Sequence, residues 1–190
     1  MEVLKKRILS DGIVIEPDIL KVDSFLNHQI DVALFEQIAK EFKRRFKDKP
    51  INKIVTIESS GIALAVIASL YFDHCKTVFV KKNESRIIDN HFYKTVIHSY
   101  TKDKDYIGII SKNYLNSQDH ILIIDDFLAN GEACLGIADL AHQAGAVIEG
   151  VGIVIEKGFQ KGRKRLEEAG LQVESLIIVD GFNDGKVILR

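Results

Sequence analysis

Near the middle of the chain, Ile121-Leu122-Ile123-Ile124 runs directly into Asp125-Asp126, and Phe127-Leu128-Ala129-Asn130-Gly131-Glu132-Ala133 follows. Four consecutive apolar residues read as a strand buried on both faces, which occurs in a parallel sheet covered by helices on both sides. The strand ends in two carboxylates, passes through a loop of small residues and enters a helix. In open α/β sheets, ligands bind at the carboxyl ends of strands where the strand order reverses. Small residues at Ala129, Gly131 and Ala133 allow close approach to the backbone. The first N–H groups of the following helix have no helical partners and carry the positive end of its dipole, so the turn is suited to a phosphate. Asp125 and Asp126 just before it suit the vicinal hydroxyls of a ribose, because each carboxylate accepts a hydrogen bond from a hydroxyl.

The rest of the chain supports this architecture. Residues 1–10 and 31–47 read as helices; in the second, Val32, Phe35, Ile38, Ala39, Phe42 and Phe46 recur at helical spacing opposite Lys40, Lys43, Arg44 and Lys47. Beyond Pro50, strand-like runs at 53–57, 77–80, 121–124, 147–155 and 173–179 alternate with helix-like stretches at 61–71, 132–144 and 160–169. The expected class is α/β, an open, mainly parallel twisted sheet flanked by helices with right-handed crossovers. With 190 residues, one domain spanning 1–190 is expected. Residues 82–118 break the alternation and read as a flexible hairpin or β-loop, with strand-like pieces at 95–100 and 106–110. The first 30 residues also lie outside the alternation, and both stretches can cap the ligand edge.

Other chemistries fit less well. Lys and Arg total 26 against 27 Asp and Glu, so no bulk attraction to nucleic acid or anionic membrane is built in. The start, MEVLKKRILSDG, has no apolar stretch of the secretory kind. The longest nearly apolar run, 62–72, is about half a membrane span, so a soluble, cytoplasmic protein is expected. Cys75 and Cys134 share no CxxC or metal-type spacing and read as two buried thiols, and the six histidines do not cluster, so no metal site made from side chains alone is expected. Paired acids also occur beside Walker-type loops, but no G-x-x-x-x-G-K-[ST] exists, nor any G-x-S-x-G elbow. In a phosphoacceptor pocket the acids would follow the first strand. An N-cap and turn would account for one aspartate but not for two followed by a small-residue loop. Phe127, Leu128 and Phe159 read either as a sandwich for a flat ring or as core. Lys81, Lys82 and Arg86 read as pyrophosphate partners or solvated charges, and residues 161–165 as a solvated helix face.

Asp-Asp-Phe-Leu-Ala-Asn-Gly-Glu-Ala after four apolar residues resembles the 5-phosphoribosyl-1-diphosphate (PRPP) signature of type I phosphoribosyltransferases. Lys-Val-Asp-Ser-Phe-Leu-Asn-His-Gln-Ile-Asp (21–31), Val-Thr-Ile-Glu-Ser-Ser-Gly-Ile-Ala (55–63) and Ile-Val-Ile-Glu-Lys-Gly-Phe-Gln (153–160) narrow the resemblance to the bacterial xanthine phosphoribosyltransferases. It extends over nearly the whole chain. The resemblance implies the type I fold with a small hood from about residues 1–30, a homodimer, and Mg2+ carried with PRPP. The implied reaction is purine salvage, the transfer of the phosphoribosyl group to xanthine to give XMP and pyrophosphate. Guanine, hypoxanthine or another purine is the alternative acceptor. A PRPP-sensing regulator is a further alternative, although the 50 residues before the first sheet strand lack a helix-turn-helix pattern.

Carried over residue by residue, Ala129, Asn130, Gly131, Glu132 and Ala133 fall on the loop for the 5-phosphate, and Asp125 and Asp126 on the ribose acids. Glu58, Ser59, Ser60 and Gly61 fall on the pyrophosphate loop, with Lys81 nearby. Leu20, Asn27 and Lys157 fall on positions that contact the purine. The broader pattern Thr-Gly-x-Thr is replaced here by Asn130 and Ala133, so side-chain hydroxyl donors are lost. Ala129 stands where some relatives carry an acid, which leaves no protein base at that point. Lys157 would donate to a purine's 6-oxo group and N7 and favour the xanthine anion.

Overall fold

The computed structural model describes residues 1–83, 90–99 and 104–190. The chain opens with α1 (Glu2–Asp11), a two-stranded hairpin of β1 (Ile13–Ile15) and β2 (Ile19–Lys21), and a π-helical turn at Asp23–Asn27. Helix α2 (Val32–Arg45) starts where the Asp31 side chain accepts a hydrogen bond from the Leu34 amide at 3.1 Å. Its buried face is Leu34, Phe35, Ile38, Ala39 and Phe42, as the helical spacing requires. Val32, expected on that face, is exposed instead.

The last turn of α2 carries Lys43, Arg44 and Arg45, which complement the carbonyl end of the helix dipole. Glu41 bridges Arg44 and Arg45, and Arg45 also reaches Glu174 of the sheet at 3.1 Å. The Arg44 guanidinium above all, and then Arg45 against the opposing effect of burial, lower the Glu41 carboxyl from 4.5 to about 2. Stability from a lowered carboxyl is complete above its unfolded value and disappears as pH falls through the folded one. Acid titration followed by circular dichroism is therefore expected to show a steeper loss of stability between pH 4.5 and 2 than the Glu41→Gln variant shows. Equal slopes would remove this ion pair from the acid response.

After α2 come β3 (Lys53–Ile57), α3 (Ser60–Ser69), β4 (Lys76–Asn83), β5 (Phe92–Ser99), β6 (Lys104–Ser111) and β7 (His120–Leu128). The chain continues with α4 (Glu132–Ala144), β8 (Val147–Lys157), α5 (Gly162–Glu168), β9 (Val173–Asn183) and β10 (Lys186–Leu189). Among the described residues, eight strands form one sheet in the order β10-β9-β8-β7-β3-β4-β6-β5. The five central strands are parallel; β10, β6 and β5 pair antiparallel. Alternation divides the strand residues between two cores. Ile54, Leu122 and Ile124 face a core shared with α1, α2 and α3, while Val55, Ile57, Ile121 and Ile123 face one shared with α4 and α5.

The edges of the sheet depart from expectation. β4 runs past Val80 so that Lys81–Asn83 pair with β6, and the excursion is an antiparallel extension of the sheet. The 95–100 and 106–110 pieces are β5 and β6. Residues 84–89 and 100–103, Arg86 among them, lie outside the described residues, as does the flexibility expected there. β9 continues to Asn183 and returns as β10 through Asp184 and Gly185, with φ of 49° and 70°. Two central residues at positive φ match the tight turn that joins twisted strands, and Asp-Gly favours it.

Packing on α4 holds the β5–β6 hairpin in place. Ile97 nests where a Cβ on Gly136 of α4 would be 2.5 Å from its Cδ1, and one on Gly108 of β6 would be 2.9 Å away. Gln143 of α4 donates to the Lys94 carbonyl at 2.9 Å. Lys94 therefore lies beside the end of α4 and Ile97 beside its first half, so β5 runs back along the helix toward its N-terminus.

Candidate active site

From β3 the chain continues to β4 on one side of the sheet, and β7 returns on the other side of β3. The strand order reverses between β3 and β7, and their carboxyl ends open the crevice that such a reversal creates. Two segments picked out in the sequence sit at these ends: Glu58–Gly61 after β3 and Asp125–Ala133 at the end of β7.

A cleft of about 880 Å³ lies above them. Ala129, Asn130, Gly131, Glu132 and Ala133 line it, together with Leu20, Asn27 and Lys157. Gly131 has φ of +86°, a left-handed conformation open to glycine, and turns the chain sharply into α4. The Leu135 amide donates to its carbonyl at 2.9 Å, which starts the helix and leaves the preceding amides to the cleft.

Asp125 and Asp126 are not among the lining residues, but Asp126 is tied to the cleft through Asn27 and collects contacts from two distant parts of the chain. It is 8% exposed and accepts from Ser60 Oγ at 3.0 Å and from Asn27 Nδ2 at 3.4 Å. Its own amide donates to Asp125 Oδ1 at 3.0 Å. Burial first, and then the charge of Asp126, push the Asp125 carboxyl well above the usual carboxylate range, with Lys82 pulling weakly the other way. The Tyr106 hydroxyl is pushed up to about 12, by burial and by Asp125.

The residues expected on the purine side come from separate elements. Leu20 is a buried wall on β2, and Asn27 closes the π-helical turn. Lys157, at the end of β8, donates from Nζ to the Asp18 carbonyl at 2.8 Å and so ties the N-terminal hood to the sheet. Phe127 and Leu128 line the cleft, whereas Phe159 packs edge-on against Phe182, centroids 5.8 Å apart.

Of the segment expected to hold pyrophosphate, none of Glu58, Ser59, Ser60 and Gly61 is among the residues lining the cleft. Its Glu58–Ser59 peptide is cis. Ser60 reaches Asp126, but the Glu58 carboxylate accepts from the Lys82 amide at 2.5 Å. Gly61 is required by packing, because a Cβ there would fall 2.0 Å from Thr56 Oγ1. Lys82 lines the cleft with its ammonium 5.1 Å from the Tyr106 ring centroid. Lys81, its neighbour on β4, takes the opposite face and is not among the lining residues.

Sequence reasoning missed several participants. His98 and Tyr106 of the hairpin line the cleft, with His98 Nδ1 2.7 Å from Asp105 across the strand pair. Gln160 also lines it, and its Oε1 is buried without a hydrogen-bond partner among the described residues. The expected solvated face at 161–165 is corrected. Lys161 and Lys164 are exposed, but Arg163 pairs with the buried Glu156 and Arg165 with Glu132. A glycine opening a short helix just after a strand, Gly162, was the available signal, since such a glycine marks a close backbone approach.

Xanthine phosphoribosyltransferase 2 of Clostridium botulinum is 56% identical over 190 residues, covering 100% of both chains. The xanthine phosphoribosyltransferase of Clostridium novyi is 55% identical over the same full length. The chain belongs to the xanthine phosphoribosyltransferase family. It is thus an enzyme of the glycosyltransferase type. No family model matches the chain. Among solved structures, the adenine phosphoribosyltransferase of Rhodothermus marinus has a TM-score of 0.75 at 24% identity, over 94% of this chain and 97% of that one. The Trypanosoma brucei enzyme, solved with AMP, pyrophosphate and ribose-5-phosphate, has a TM-score of 0.78 at 16% identity, over 96% and 82%. These two share the type I phosphoribosyltransferase fold with this chain. Among the described residues no helix is long and apolar enough to cross a membrane.

Proposed function

We propose that this protein transfers the 5-phosphoribosyl group of PRPP to xanthine, releasing pyrophosphate and forming XMP in purine salvage. The observation that carries the reading is one cleft lined both by the glycine turn at the head of α4 and by Leu20, Asn27 and Lys157, in a chain 56% identical to a xanthine phosphoribosyltransferase along its whole length.

In this reading the amides of 129–133 hold the 5-phosphate, and Asp125 and Asp126 receive the ribose hydroxyls. Ser60 and Asn27 keep the Asp126 carboxylate oriented. Lys157 donates to the base and stabilises its anionic form. The bond from ribose C1 to pyrophosphate breaks as the purine nitrogen bonds from the opposite face, and positive charge develops on the sugar. Positioning, and charge placed in advance around the developing ions, supply most of the acceleration. Lys82 stands at the cleft beside Tyr106, where it can offset charge on the leaving pyrophosphate.

Magnesium fits this donor set. Asp125 and Asp126 put two adjacent buried carboxyl groups at the end of β7, and a divalent cation beside them would ease their crowding. Magnesium generally keeps most of its waters and needs few protein ligands, so Asp125 and Asp126 would suffice on the protein side for an ion carried with PRPP. When bound, it would neutralise negative charge on the diphosphate. The reading also takes the enzyme to be a cytoplasmic homodimer, with neither nucleic acid nor membrane as a partner.

Pyrophosphate release measured with PRPP, magnesium and each purine in turn is expected to be fastest with xanthine. Lys157→Ala should lower kcat/KM for xanthine by about 10- to 100-fold, the worth of one charge-assisted hydrogen bond. A faster rate with guanine, hypoxanthine or adenine would reassign the acceptor. Unchanged xanthine kinetics in the variant would remove Lys157 from the base site.

A further inference from the structure

The phosphate cradle contains an acid. Glu132 is the first residue of α4 and directly follows Gly131. A carboxylate there favours the helix dipole when nothing is bound, but it repels a phosphate dianion brought to the same amides.

Helix α5 supplies the counter-charge. Arg165 Nη1 bonds to the Glu132 carboxylate and donates to the Asn130 carbonyl at 2.7 Å. The two segments are in close backbone contact. The Gly162 amide donates to the Ala129 carbonyl at 3.0 Å, and a Cβ at 162 would lie 2.3 Å from that oxygen and 2.8 Å from Leu128 Cδ1. From the other side, a Cβ on Gly131 would meet Gly162 Cα at 3.4 Å. A trans peptide sets its C=O and N–H in opposite directions. Holding the Asn130 carbonyl toward α5 therefore sends the Gly131 N–H away from α5, on the side where 129–133 line the cleft.

We propose that Arg165 is a positioning residue for the 5-phosphate: it neutralises Glu132 and orients the Asn130–Gly131 peptide so that the cradle amides face the anion. The proposal rests on reading 129–133 as the phosphate cradle.

The test is a charge cycle on the whole protein, with ribose 5-phosphate binding measured by calorimetry and PRPP kinetics alongside. Arg165→Ala should weaken ribose 5-phosphate binding and raise KM for PRPP by about tenfold, the scale of one unpaired charge near a dianion. kcat should fall much less. Because the lost interaction is electrostatic, the defect should shrink as salt is raised. Arg165→Lys should restore part of the affinity. Glu132→Gln alone should tighten binding, because the carboxylate that repels the dianion is gone, and the double variant should return toward wild type. Wild-type affinity in Arg165→Ala would overturn the proposal. So would a loss that is the same at every salt concentration and is not relieved by Glu132→Gln, since that pattern belongs to a structural prop. If the wild-type protein itself fails to bind ribose 5-phosphate or PRPP, the cradle assignment falls and the proposal with it. That failure is distinct because it shows before any substitution.

Discussion

Replacing Asp125 and Asp126 together by asparagine is expected to cut turnover by about a thousandfold or more while leaving the fold in place. In the proposed reading each carboxylate offers the ribose a charge-assisted hydrogen bond, and together they place negative charge close to a sugar that becomes positive as pyrophosphate leaves. Asparagine keeps the shape and an acceptor oxygen but removes the charge. The fold should be insensitive to the change or gain from it. Asp125 is 5% exposed, and its ionised form is opposed by burial and by the charge beside it. The melting temperature of the double variant should therefore equal or exceed that of the wild type. Steady-state kinetics beside a thermal melt provide the check. Near-normal turnover would remove the ribose role, and a collapsed melt would show that the pair is structural.

The second large effect is on stability. Glu156 is 3% exposed, and Arg163 bonds to it in bidentate fashion at 2.6 and 2.9 Å, with Ser175 Oγ completing the set at 2.5 Å. Arg163→Ala would strand a buried carboxylate with only a hydroxyl for company. Breaking such a pair from one side costs about 2–4 kcal/mol, the lower part of this range applying where the arginine is partly in water. In a chain of this size that lowers Tm by roughly 5–15 °C. Adding Glu156→Gln should recover much of the loss, because the stranded charge is then gone. Urea unfolding of the two variants would test this, and a shift below about 0.5 kcal/mol in the single variant would show that Ser175 and solvent suffice.

The same arginine illustrates a limit of reading the chain in one dimension. In sequence, Lys161-Gly162-Arg163-Lys164-Arg165 is a run of charge, and charge runs on short helices usually face water. Lys161 and Lys164 do so. Arg163 and Arg165 are only about a third exposed and are paired, because the first turn of α5 lands on the loop after β7, and Gly162 permits that approach. Nothing local distinguishes the inward arginines from their neighbours, since Glu132, Glu156 and Ser175 are 33, 7 and 12 residues away from them. The hairpin between β4 and β7 follows a similar pattern. Its strand pieces are rich in β-branched and aromatic residues, but its place against α4 depends on Ile97 fitting over Gly136, residues from opposite sides of β7 in the chain.

The order of elements, the buried central strands, the glycine turn into α4 and the paired aspartates were all set by local chemistry. Periodicity, small residues and unsatisfied helix-end amides act over a few neighbouring positions, so a linear string carries them in full. What joins Asn27, Ser60 and Asp126, turns Lys82 rather than Lys81 toward the cleft and balances Glu132 with Arg165 is the crossing of the chain over its own sheet. Those contacts depend on distances between segments far apart in the chain, and such distances exist only after both cores have closed around the strands.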